Sequence, residues 1–160
     1  MSGISNYRTG ESSGKVFRRV RHDGLELPER PNFHQPQIPA DITALDPVEM
    51  MELFQEINSW LDYIEVQLAA AIVDEKYEES VLEEIEALER IEAKGNDVTT
   101  KKAKVFESQE FINQRDKVQE IYGYRKVVET IFNRLDRGKF IVSRELTRRT
   151  GSYGDRNDRS

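Results

Sequence analysis

Residues 118–135 read VQEIYGYRKVVETIFNRL, and their spacing decides the fold. Val118, Ile121, Arg125, Val128, Phe132 and Leu135 follow one another at steps of three, four, three, four and three, which places them on one stripe of an α-helix. The same phase continues through Val142, Leu146 and Arg149, so the pattern is heptad-like over residues 105–149. A helix of this kind is stable mainly because it buries that stripe against a partner, so a second long helix is required. That partner is predicted over residues 46–94. Asp46 and Pro47 mark its start, a capping carboxylate followed by proline at the first helical position, with Glu49 and Glu52 where the helix dipole favours acids.

The apolar face of this first helix reads Met50, Leu53, Ile57, Leu61, Ile64, Leu68, Ala71 and Ile72, with Phe54 and Trp60 on its flank. It resumes as Val81, Leu82, Ile85, Leu88 and Ile91. Asp74, Glu75, Lys76, Glu78 and Glu79 thin the stripe between the two runs, but no Gly or Pro interrupts it, which favours one continuous helix. Lys94, Gly95, Asn96 and Asp97 supply a helix stop and a turn, and the second helix is expected over residues 98–149 with a kink near Gly138. The fold class is therefore all-α, a long antiparallel two-helix coiled-coil hairpin. A proline-bearing arm over residues 1–45 and a polar tail over residues 150–160 are expected to be extended or disordered. Within the arm, Asp23-Gly24 could turn a short β-hairpin.

Composition sets the bounds. The chain has 160 residues, 37% of them hydrophobic and 34% charged, with a mean hydropathy of −0.71, which argues against a thick globular core. There is no cysteine, so disulfides and thiolate metal sites are excluded. No apolar run approaches the roughly 18 residues of a membrane span, and no hydrophobic signal core opens the chain, so no membrane partner is expected. The net charge of −6 conceals a segregation. Residues 46–93 carry fifteen acids and two bases, whereas residues 99–149 carry thirteen bases and seven acids, so the halves should attract.

No residue set announces catalysis. His22 and His34 lie among the arm's irregular sequence without cysteine or helix-spaced carboxylate partners, and no metal or other cofactor is expected. Glu75, Glu78, Glu79, Glu83 and Glu86 have a spacing that a di-metal bundle uses, but neither helix carries the histidine such a site needs, so they read as a solvated charged face. Polyanion binding is the better reading. Arg134, Arg137, Lys139, Arg144, Arg148 and Arg149, joined by Arg18, Arg19 and Arg21 of the arm, could line phosphates, with Phe140 or Tyr153 available to stack on unpaired bases. Arg125 sits on the buried stripe, so it either meets a carboxylate of helix one or of another subunit, or snorkels at the stripe's edge. Phe54, Trp60, Phe111, Phe132 and Phe17, with Arg125, are the candidates for a self- or partner interface, because the apolar surface exceeds what a lone hairpin covers.

Helix two carries the aromatic pair Tyr122 and Tyr124, the aliphatic stripe, then Arg137, Gly138, Phe140 and Ile141 leading into a basic end. This layout, over about residues 60–149, resembles phage recombination mediator proteins of the UvsY type. The ending SRELTRR at residues 143–149 is also similar to small helical-hairpin proteins of actinobacterial tailed phages. The resemblance implies a non-enzymatic homo-oligomeric ring that holds single-stranded DNA in the host cytoplasm and loads a recombinase onto it. The chain departs from that pattern in its long proline-bearing arm and very acidic first helix. The alternative function is a phage virion or assembly component, located in the virion, whose arm and hairpin contact other phage structural proteins.

Overall fold

The computed structural model describes residues 7–93 and 97–157. Among the described residues there are four α-helices and a single 3-10 turn, and no strand. The helices are α1 (Glu11–His22), α2 (Pro47–Glu92), α3 (Val98–Glu107) and α4 (Gln109–Asn157); the 3-10 turn is Ile42–Ala44. The long helices α2 and α4 pack against each other. The chain divides into two compact units, each built from a part of both long helices.

Unit 1 comprises Met1–Tyr7, Leu27–Val66 and Glu129–Ser160. Its start is written in the sequence. The Asp46 carboxylate accepts from the Val48 and Glu49 amides at 2.8 and 2.9 Å, and the Glu49 carboxylate accepts from the Asp46 amide at 2.9 Å, a reciprocal cap that fixes where α2 begins. From α2 it buries Met50, Leu53, Ile57, Trp60, Leu61, Tyr63 and Ile64, and from α4 Leu135 and Val142. Trp60 meets Phe33 and Tyr63 edge to face, with ring centroids 6.5 and 6.0 Å apart. The expected kink at Gly138 is absent as a break, since α4 runs through that position. The glycine serves close approach instead: a Cβ there would lie 2.9 Å from the Ile38 side chain, so the segment at Pro36–Ile38 can lie directly on the helix.

Unit 2 comprises Arg8–Glu26 and Gln67–Val128. Here three expectations are corrected. The arm is not extended over residues 11–22, which form α1, and its Asp-Gly pair does not turn a β-hairpin. Gly24, at φ +78°, closes the helix: its amide donates to Arg21 O at 3.0 Å and the Leu25 amide donates to Val20 O at 3.1 Å, the paired bonds of a left-handed C-terminal cap. Second, Glu75 and Glu78 of the expected solvated face are more than nine-tenths buried, as is the neighbouring Asp74. Third, helix two is divided at Ser108, whose backbone leaves the helical region and whose hydroxyl donates to the Glu89 carboxylate while standing at the start of α4. The continuity expected for α2 holds to Glu92. The turn read at Lys94, Gly95 and Asn96 lies outside the described residues, but the Asp97 carboxylate caps α3 through the Thr100 amide (2.8 Å) and hydroxyl (2.6 Å). The polar end taken as a tail from residue 150 continues α4 as far as Asn157.

The predicted stripe of α4 faces inward throughout. Val128, Leu135 and Val142 are buried, while Val118, Ile121, Arg125, Phe132, Leu146 and Arg149 are half-buried. On α2 the agreement fails at Ile72, Leu88 and Ile91, which are exposed.

Candidate nucleic-acid interface

Opposite its buried stripe, α4 carries a second one in unit 1. Arg134, Arg137, Ile141, Arg144 and Arg148 follow at steps of three, four, three and four, and all five are exposed. Phe140, three residues after Arg137 and four before Arg144, lies against the same face with 74% of its surface in solvent. One carboxylate reaches this stripe: Glu145, buried beside it, pairs with Arg148. Asp136 points to its flank by helical phase.

Glu145 decides how free the final arginines are. Its carboxylate accepts from Arg148 Nε and Nη2 at 2.8 and 2.6 Å and from Arg149 Nε at 2.8 Å. These bonds, Arg148 first and Arg149 second, hold it down at about 2 against an ordinary 4.5, despite the opposing effect of burial. Arg149 turns inward, donating also to the backbone carbonyls of Leu45 (2.8 Å) and Thr43 (3.0 Å), so it ties the end of α4 to the residues just before α2. Its role is packing. Arg148 remains largely exposed, Arg134 donates to the Gln35 side chain, and Lys139 is half-buried and off the stripe. Of the nine cations proposed from sequence, four therefore share this face. Arg18, Arg19 and Arg21 are exposed on α1 in unit 2.

The interface candidates fare differently. Trp60, Phe111 and Phe17 are buried within their own units, where Phe111 packs edge to face on Phe106, and Phe54 and Phe132 are half-buried; they pack the fold and do not form an open surface. Arg125 finds its carboxylate in the same chain, pairing with Glu75 through Nε and Nη2 while stacking over Tyr122 at 5.2 Å. Among the apolar side chains that do face solvent are Leu88, Ile91, Val98 and Phe106 in unit 2, and Phe140 and Ile141 in unit 1.

Sequence reasoning missed Gln67 and Asp74 as docking groups and Glu145 as a clamp. One signal was present: Gln67 and Asp74 stand seven residues apart, in phase with buried Ala70 and Ala71, where solvent-facing residues would not be.

Among the described residues no helix is long and apolar enough to cross a membrane. Compared with protein-family models, curated proteins and solved structures, the chain matches none.

Proposed function

We propose that the protein is a non-enzymatic, homo-oligomeric phage protein that holds single-stranded DNA on the outward stripe of α4 and assists the loading of a recombinase onto it. The observation that carries this reading is the exposed Phe140, set among exposed Arg137, Arg144 and Arg148, of which Arg148 is paired with Glu145. An exposed aromatic ring is unfavourable in water but stacks on an unpaired base, and arginine forks bind the phosphates on either side. A dipole explanation accounts for cations at a helix end but not for the aromatic ring among them.

We read α2 and α4 as the two arms of an antiparallel coiled-coil hairpin. Partner numbers run in opposite senses within unit 2, where Glu75 meets Arg125, Glu78 meets Gln114 and Lys117, and Glu89 meets Ser108. Self-association is supported by the exposed Leu88, Ile91, Val98 and Phe106. The virion alternative drew on a free arm, and docking of Arg8 and α1 on α2 weakens that support.

The experiment is a fluorescence anisotropy titration with an unstructured single-stranded oligonucleotide across a salt series. Binding at about 50 mM salt that weakens steeply as salt rises is expected, because each phosphate contact releases a counterion. Phe140→Ala should weaken it roughly tenfold, as loss of one stacked base does. A flat titration at low salt for the wild-type protein would overturn the proposal.

A further inference from the structure

The helix α1 is mounted on unit 2 with more care than its size demands. A helix of 12 residues is marginal by itself in water, so its order comes from what holds it. The Asp74 carboxylate accepts from the Gly10 amide (2.7 Å), the Ser13 amide (2.8 Å) and the Ser13 hydroxyl (2.6 Å), so a side chain of α2 caps α1. Gln67 reads the preceding backbone, accepting from the Arg8 amide at 2.8 Å and donating to the Arg8 carbonyl at 2.7 Å. Any Cβ at Gly10 would stand 2.7 Å from the Asp74 carboxylate, so only glycine permits this seat. Ser13 and Phe17 are buried and Val20 is half-buried, all on the inward side.

The outward side is cationic. Lys15, Arg18 and Arg19 recur at helical spacing and are exposed, with exposed Arg21 on their flank. Two carboxylates share this surface: Glu11 pairs with Lys15 at 2.8 Å and Asp23 with Arg19 at 3.0 Å. Such exposed pairs hold weakly and yield to a stronger anion. Of the apolar side chains of α1 that a lipid surface would take, Phe17 is buried, Val20 half-buried and Val16 alone exposed, and no Phe, Tyr or Trp faces outward on α1. What is left is a positioned row of charges with nothing to read a base.

We propose that α1 is a second nucleic-acid contact that grips phosphates of single strands and duplexes alike, held in place by Asp74 and Gln67. It rests on the proposed function for its ligand class, and differs from the α4 stripe in lacking a stacking residue. The α4 stripe should favour unpaired bases; α1 should not.

The test compares a single-stranded oligonucleotide and a duplex of equal length, each titrated across a salt series. The variants are wild type, Arg18→Gln/Arg19→Gln/Arg21→Gln, Asp74→Ala and Phe140→Ala, with circular dichroism confirming near-native helix content. The triple variant should weaken both ligands by a similar factor of at least about ten at low salt, and flatten the salt slope by about two on the single strand. Asp74→Ala, which keeps every cation but releases their mount, should weaken both in the same direction. Phe140→Ala should act on the single strand alone. Unchanged affinities and slopes in the triple variant, with Phe140→Ala still effective, would overturn the α1 proposal and leave the α4 reading standing. The reverse outcome would remove the α4 reading and keep α1. Wild-type affinity in Asp74→Ala would overturn the mounting role, and a wild-type protein that binds neither ligand would overturn both.

Discussion

The two units draw on the same pair of long helices and close them in different ways. Unit 1 is sealed by apolar packing, with Met50, Ile57 and Val142 having no measurable surface in solvent and aromatic rings at Phe33, Trp60 and Tyr63 filling the side. Unit 2 buries Phe17, Val105, Phe111 and Val128 but adds a set of buried polar groups. Asp74 takes the α1 terminus, Glu75 takes Arg125, and Glu78 takes Lys117 at 2.7 Å and Gln114 at 2.7 Å. Apolar packing tolerates small slips, whereas a buried carboxylate is satisfied in only one alignment, so unit 2 is where register is specified. The contrast also separates roles: the apolar unit carries the exposed aromatic ring of α4, and the polar unit carries α1.

The largest effect is expected where the packing is driest. Leu135→Asp places a carboxylate in the apolar core of unit 1, where it has no donor, and should cost several kcal/mol against a total stability of about 5–15 kcal/mol. Circular dichroism should show loss of most helix; an unchanged spectrum would mean that the apolar seal is not what holds unit 1.

In unit 2 the sensitive pair is Glu75 and Arg125. Glu75→Ala strands a half-buried guanidinium and should cost about 3 kcal/mol by urea denaturation. Replacing both with Glu75→Leu/Arg125→Met should recover most of that loss, because two apolar groups of similar size need no desolvated partner. If the double variant is as unstable as the single, the pair contributes stability directly and the register argument weakens.

The smallest effect is a pH dependence at the end of α4. Because the Glu145 carboxylate is held at about 2 in the folded chain against 4.5 ordinarily, its contribution is complete above about 4.5. It falls away as pH drops toward 2, where the folded chain too becomes protonated. Thermal unfolding of the wild-type protein should lose stability through that window, and Glu145→Gln should make the loss shallower. Equal slopes for the two proteins would detach the clamp from stability.

Much of the fold was legible because it is local or periodic. The stripe from Val118 to Leu146 and the Asp46 cap of α2 each depend on residues within a few positions of one another, and each stands as read. The break at Ser108 was not legible, since no glycine or proline marks it and its second partner, Glu89, lies nineteen residues away. The candidate site was half legible: the arginines of α4 were read as one group, but their sorting into outward Arg137, Arg144 and Arg148 and inward Arg149 depends on the carbonyls of Thr43 and Leu45.

The sequence by itself determined that the chain is helical, where α2 begins and which face of α4 turns inward, because hydrophobic period and capping act through neighbouring residues. Tertiary structure alone decided the rest. Asp74, Glu75 and Glu78 look like solvent-facing acids in a charged run, and only the arrival of Gly10, Ser13, Arg125 and Lys117 from distant parts of the chain makes their burial affordable. A carboxylate's place is set by its donors, and here the donors come from elsewhere in the chain.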